Sequence, residues 1–511
     1  MTDWTGGYVA DIGYTFGYYA ELNPLRTRLA LTSAGIVAPE CGTACELGFG
    51  QGLSANLHAA ASPTRWYGTD FNPSQAGFAQ SLATASGNDA RLYDEAFADF
   101  CHRADLPDFD YLGLHGIWSW ISDDNRREIA DFVRRKLKVG GVLYVSYNTF
   151  PGWAAFAPMR HLMTEHAEVL GSEGRGIVNR IDGALEFADK LMATTPLFAR
   201  ANPLVGERIK KLREQSRHYL AHEYFNRDWH PMHFATMADW LEPAKVQYAC
   251  PASLLDHVDA LSLTAEQQAF LREIPDPMFR ESVRDFMVNQ QFRRDCWVKG
   301  VRRLPALEQS AALRAQRVVL VSHRPDVPLK AAGALGEASL SEAVYSPILA
   351  LLADHKVRTV GEIERAVAGK GVNVAQLLQS VAVLTGVGHL APVQDEATAA
   401  KAKPTSDRLN VQLMANAQSS ADVGYLASPV TGGGVAVGRF QQLFLVALKQ
   451  GKKAPAEWAR SAWEVLASQG QRIVLEGKPL DGPQENLAEL ERMAQRFEAK
   501  QLPILRALRV A

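Results

Sequence analysis

An acid and three glycines at alternate positions stand together in Thr43-Ala-Cys-Glu46-Leu-Gly48-Phe49-Gly50-Gln-Gly52. Glycine is required where backbone takes positive φ or comes into contact with a ligand. A strand that ends in such a turn and feeds a helix presents free N–H groups to a nucleotide-sized ligand. Alone the glycines are a weak signal, because many strand-to-helix turns are glycine-rich. Asp70 strengthens it. It closes Arg65-Trp-Tyr-Gly-Thr-Asp70, about 20 residues after the turn, where dinucleotide-type folds place an acid on the ribose hydroxyls. A carboxylate accepts two hydrogen bonds from a vicinal diol, which accounts for the residue type. A helix cap or turn aspartate is the plainer alternative.

These residues need a scaffold, and the pattern around them supplies one. Asn23-Pro24 opens a helix through Leu25, Leu29 and Leu31 that ends near Gly35. From residue 43 strands alternate with helices: 43–47, helix 53–61, 65–70, a third strand near 90–93, then 109–114 and 142–147. Asp123-Asp124 should cap the helix before the fifth strand, and that helix stops at Lys138-Val-Gly-Gly141. Five such units imply an α/β fold, a parallel sheet with helices on both faces. Ligands in these sheets bind beyond the carboxyl ends of the strands. The segments 94–99, 115–120 and 148–153 then converge with the glycine turn on one crevice.

Composition narrows the class. At 511 residues the chain needs two to four cores. Its 47% apolar content and net charge of −2 read as an ordinary globular protein and argue against a dedicated nucleic-acid binder. Five scattered cysteines suit reduced thiols, the first residues lack a signal-peptide pattern, and no apolar run spans a bilayer. A cytoplasmic location and no membrane partner are expected. Cys41–Cys45 lacks a second ligand pair of suitable spacing, and His218, His222, His230 and His233 leave the remaining ligands undefined. No metal is expected.

The order of motifs resembles the class I S-adenosylmethionine-dependent methyltransferases: the Glu-Leu-Gly-x-Gly-x-Gly turn, the acid ending strand two, the Gly-Gly before strand five. His115-Gly-Ile-Trp-Ser-Trp120, Tyr147-Asn-Thr-Phe-Pro-Gly-Trp153, His222-Glu-Tyr-Phe-Asn226, Phe286 and Asn289-Gln-Gln-Phe-Arg-Arg294 narrow the resemblance. They are similar to methyltransferases with a methyltransferase regulatory domain, a group that includes lysine methyltransferases of rickettsial outer-membrane proteins. The similarity covers roughly residues 5 to 300. It implies S-adenosylmethionine as cofactor, with Gly48, Gly50 and neighbouring backbone beside its methionine part. Asp70 would take the ribose hydroxyls, Ala96 and Phe97 would flank the adenine, and Leu114 and His115 would lie beside the methionine moiety. Glu46, Phe49, Gly52, Phe71 and Tyr14, from an aromatic, glycine-rich stretch at residues 1–24, complete the expected cofactor site. No Asn-Pro-Pro-Tyr motif follows strand four, which lowers methylation of nucleic-acid bases.

Methyl transfer from a sulfonium is an in-line displacement, governed by alignment and exclusion of water. An amine acceptor must first lose its proton, and aromatic walls can hold its cation. Trp118, Trp120, Tyr147 and Trp153 are the candidate walls, although tryptophans beside strand ends often belong to the core. His115 or Asp123 could relay the proton, and Asn148 could accept a hydrogen bond from the nitrogen.

The rest of the chain divides into modules. Residues 1–155 form the Rossmann-like cofactor core; 156–235 a helical insertion that covers the site or supports a homodimer, with His222-Glu223 as a buried polar hinge; 236–300 complete the sheet, with strands at 245–250 and 296–299. Residues 301–395 read as a winged-helix-like module, its helix 374–384 lacking the basic face a DNA-contacting helix needs. Residues 397–407 look like a linker into a mainly helical module, 396–511, with a glycine turn at 432–434. The expected function is N-methylation of lysine in a protein. Two alternatives stand beside it: methylation of a peptide or small-molecule intermediate, and a non-catalytic regulator that binds the cofactor.

Overall fold

The computed structural model describes residue 13, residues 15–171 and residues 176–511. Seven strands build the central sheet: β1 (Thr43–Leu47), β2 (Arg65–Thr69), β3 (Arg91–Tyr93), β4 (Phe109–Leu114), β5 (Leu137–Asn148), β6 (Val246–Pro251) and β7 (Phe292–Lys299). Their order is β3-β2-β1-β4-β5-β7-β6. β1 to β5 are mutually parallel, and β7 runs antiparallel between β5 and β6. The two late strands expected from sequence thus close the sheet.

β5 shows how the sequence divides the core. Val142 and Tyr144 join one buried cluster with Trp66 and Tyr111, while Leu143 and Val145 join another with Tyr67, Leu112 and Trp297. Both faces are covered, so the strands read as nearly continuous apolar runs. The helix Asp123–Lys136 is capped by Ser122, whose Oγ accepts from the Asn125 N–H at 3.3 Å. Asp123, expected as the cap, instead pairs with the buried Arg126 at 2.6 Å. Arg126 donates in turn to the Trp118 carbonyl at 3.0 and 3.1 Å, fixing the loop after β4.

After β5 the chain leaves the sheet for five helices, Ala157–Val169, Gly176–Ala193, Leu197–Ala201, Leu204–Arg213 and Arg217–Tyr224. They enclose their own core around Phe156, Met163, Ile181, Leu185 and Ile209. Two motifs distant in sequence meet where this insertion begins. Thr149 and Gly152 N–H groups donate to the carbonyls of Gln291 and Gln290, each at 2.9 Å, and Trp153 Nε1 donates to Gln291 O at 2.9 Å.

Further on, helices Glu342–Leu352, Val360–Val367 and Val374–Gly386 accompany a three-stranded antiparallel sheet of Arg358–Thr359, Arg317–Leu320 and Leu390–Pro392. Leu377, Val381, Val383 and Leu384 of the third helix are buried in the core shared with the large sheet. The expected linker is a helix, Glu396–Asn416. Asp395 caps it by accepting from Thr398 N–H at 2.9 Å, and Ala399, Ala402, Ser406, Leu409 and Leu413 form one buried stripe. Alanine, threonine and lysine there signify close helix packing rather than flexibility: Thr405 and Ser406 hydroxyls donate to Ala60 O at 2.7 and 3.0 Å. Among the described residues no helix is long and apolar enough to cross a membrane.

Candidate active site

The crevice lies beyond the carboxyl ends of β1 to β4 and has a volume of about 340 Å³. Its floor is the glycine turn, with φ of +71° at Gly48, +58° at Gly50 and +65° at Gly52. Gly48 N–H donates to Thr69 O at 2.8 Å, tying the turn to the end of β2. A Cβ on Gly48 would lie 2.4 Å from Cδ1 of Ile117, itself part of the crevice wall. Only backbone fits there.

Two carboxylates face the crevice from this floor. Asp70 accepts from Gly50 N–H at 2.8 Å with Oδ2 and from Asn72 N–H at 3.0 Å with Oδ1. Each oxygen keeps a free lone pair, the requirement for holding a diol. Burial pushes the Asp70 carboxyl up to about 6 against the opposing pull of those two N–H groups. Glu46 is 2% exposed, and its Oε2 has no hydrogen-bond partner among the described residues. Burial first, and the Asp70 charge second, push it up to about 8. A buried acid without a partner costs stability unless a cation or donor completes it. The ammonium of an amino-acid moiety is such a group.

The walls follow from the next strand ends. Phe71, Glu95, Ala96 and Phe97 line one side. Glu95 holds Arg103 at 2.5 Å through Oε1, while its buried Oε2 has no partner among the described residues. On the other side the His115 ring stacks on Tyr19 at 3.9 Å, with Nδ1 at 2.7 Å from Tyr144 Oη. Burial pushes the imidazole down to about 4, so it is neutral at pH 7. The helical insertion supplies the roof with His222, Glu223, Arg227 and Asp228. Burial pushes the Glu223 carboxyl up to about 7.

Glu46, Gly48, Phe49, Gly50, Asp70, Phe71, Ala96, Phe97, His115 and Trp120 of the expected site line this crevice. Leu114 and Gly52 do not. Leu114 is fully buried in the core, and Gly52 opens the helix Leu53–Ala61 against Ala79. Tyr14 lies outside the described residues. Trp118 is 1% exposed within the sheet core, and Trp153 belongs to the insertion's core. Tyr147 donates to Asp295 Oδ2 at 2.8 Å, inside a buried network in which Arg293 also binds Asp285 and Asp295. Asn148 is 5% exposed and, as the last residue of β5, pairs with β7 rather than tipping into the crevice. Tyr19, from the aromatic N-terminal stretch, joins the wall, and so do Glu95, Ser122, Asn125, Arg227 and Asp228, which the sequence does not single out. Glu95 follows β3 directly, so its position was a usable signal; Arg227 and Asp228 arrive only through tertiary packing.

The strand order, the reversed β7 and a crevice floored by a glycine turn and two acids define the class I methyltransferase fold. Residues 216–299 match the family model described as a predicted methyltransferase regulatory domain. The chain is 39% identical over 513 residues to the uncharacterized protein sll1526 of Synechocystis, covering 99% of this chain and 100% of that one. It is 28% identical over 296 residues to the uncharacterized Rickettsia prowazekii protein RP789, covering 55% of this chain and 51% of the other. PKMT2 from Rickettsia typhi, solved in complex with AdoHcy, superposes with a TM-score of 0.68 at 16% identity over 97% of this chain and 99% of that one. The chain belongs to the family of the Synechocystis protein, has the class I methyltransferase fold, and carries at residues 216–299 a match to the methyltransferase regulatory domain.

Proposed function

We propose that this protein is an S-adenosylmethionine-dependent methyltransferase that methylates the side-chain nitrogen of lysine in a protein substrate. The observation that carries the reading is the pair of carboxylates at the glycine turn, above all the buried Oε2 of Glu46, without a partner among the described residues. The likeness of fold to a protein solved with AdoHcy supports the same cofactor. When bound, the cofactor supplies an electrophilic methyl group on a sulfonium.

The chain's own residues provide the rest. Glu46 accepts from the ammonium of the methionine part, Asp70 binds the ribose hydroxyls, and Phe71, Ala96 and Phe97 enclose the adenine. His115, neutral and held by Tyr144 and Tyr19, forms a polar wall whose depressed basicity makes it a poor proton acceptor. Glu223 is better matched to that task, because a base works best when its pKa lies near the working pH. Its carboxylate, brought in by the insertion, attracts the lysine ammonium and accepts its proton, leaving the free amine to attack in line. Trp120 offers a flat wall to the aliphatic stem.

The reading is tested by incubating the protein with methyl-labelled cofactor and extract, then hydrolysing the labelled material to amino acids. Label recovered as methyllysine supports it. Label confined to small molecules, or to another amino acid, refutes the lysine assignment.

A further inference from the structure

A second cavity, of about 330 Å³, lies where three parts of the chain meet. Tyr18 and Arg26 come from the N-terminal segment, Leu390 from the module after β7, Thr431 from the turn of a C-terminal hairpin, and Ile504 and Leu505 from the last helix. One wall is thus apolar and the other carries a cation. Arg26 Nη1 donates to Thr385 O at 3.0 Å, whereas its buried Nε has no partner among the described residues. Among the described residues Arg26 forms no ion pair. Glu21 acts on it electrostatically, but the Glu21 carboxylate pairs with Arg294 at 3.7 Å. The Thr431 hydroxyl, in a residue 4% exposed, likewise has no partner among the described residues. Buried polar groups normally find partners, so two orphans beside one cavity indicate a missing one.

The same cavity accounts for the glycine turn at 432–434, which the methyl-transfer reading leaves unused. A Cβ on Gly433 would lie 2.5 Å from Tyr18 Oη, so the turn presses its backbone onto that ring. Tyr18 belongs to the cavity wall, and its neighbour Tyr19 belongs to the wall of the crevice. Tyr19 is extended, with φ −112° and ψ 102°, and adjacent side chains on extended backbone point opposite ways. One strand of chain therefore separates the two cavities.

We propose that this junction cavity is a second small-molecule site, for a ligand with an apolar body and a carboxylate that docks on Arg26, and that its occupancy alters cofactor affinity through Tyr18 and Tyr19. Nη2 of Arg26, with Nη1 held by Thr385 O, offers a carboxylate a charge-assisted donor. The apolar body covers Leu390, Ile504 and Leu505. The coupling half rests on the crevice holding S-adenosylmethionine.

Calorimetric titration of the full chain with 3-phenylpropanoate, and with the neutral 3-phenylpropanamide, tests the site. The acid should bind at least about 10-fold more tightly than the amide, as a charge-assisted pair requires, and Arg26→Gln should erase that difference. Ala436→Trp, at an exposed position on the cavity wall, should abolish both and serves if the arginine variant does not fold. Saturating acid should shift the cofactor dissociation constant by about 5-fold or more, with a reciprocal shift in acid affinity. Equal binding of acid and amide, or an advantage that survives Arg26→Gln, overturns the site. Unchanged cofactor affinity overturns the coupling. Failure of the cofactor itself to bind would implicate the methyl-transfer reading, while Arg26-dependent acid binding would still stand.

Discussion

Burial and the neighbouring Asp70 charge hold Glu46 near 8, so the carboxyl is protonated in the free protein at neutral pH. In the unfolded chain it titrates near its usual 4.5. The native state therefore binds the extra proton between those values, and stability falls as pH rises through that window. Glu46→Gln should remove the penalty, stabilising the free protein by about 4 kcal/mol at pH 7.5 in chemical denaturation. The same variant should lose at least about 10-fold in cofactor affinity, the scale of a charge-assisted hydrogen bond. Cofactor binding ionises Glu46, so wild-type affinity should climb as pH rises toward about 8 and fall again as the cofactor's α-ammonium loses its proton. In the variant only the smaller inflection of Asp70, near 6, should persist on the rising limb. Glu223 makes a separate prediction. Glu223→Gln should lower kcat on a lysine peptide by about 100-fold or more while leaving the cofactor dissociation constant unchanged. A parallel loss of cofactor binding would assign Glu223 to the wrong partner.

The elements explain which of these residues were legible in the sequence. The glycine turn and Asp70 were, because local geometry dictates them: positive φ at Gly48 and the carboxylate at a strand end need no tertiary information. Tyr147 and Trp153 were not. Tyr147 stands inside the strand as expected, but Asp295 takes up its hydroxyl, while Asn148 and Trp153, expected beyond the tip, lie in the pairing with β7 and in the insertion's core. The polar roof was half legible, since His222-Glu223 stood out as a pair but nothing local aimed it at the crevice. Two substitutions test the elements. Gly48→Ala forces a side chain into positive φ and onto Ile117, and should abolish measurable cofactor binding while costing about 1–3 kcal/mol of stability. Leu409, fully buried on the helix that the sequence suggested was a linker, should cost about 2–5 kcal/mol when replaced by Ala. A loss under about 0.5 kcal/mol, the range of surface positions, would restore the linker.

At the scale of the molecule, the core of each C-terminal module runs on into the catalytic domain. Leu377, Val381 and Leu384 share a cluster with Trp66 and Tyr144 of the large sheet. Leu53 and Leu57, from the helix after the glycine turn, share another with Leu409, Leu443 and Leu490. The functional turn is thus backed by the last 100 or so residues, an arrangement that composition and periodicity did not reveal because it depends on contacts between segments far apart in sequence. A chain ended after residue 395 should expose the apolar face of helix Leu53–Ala61 and aggregate. Recovery of a soluble truncated chain that binds cofactor would separate the modules after all. The central claim is that the crevice over Glu46 and Asp70 holds S-adenosylmethionine. Calorimetric titration of the full chain at pH 8, wild type beside Asp70→Ala, addresses it most directly. One saturable site per chain, weakened at least about 10-fold by the substitution, is the predicted result. No binding to the folded wild type, or binding indifferent to Asp70, would contradict it.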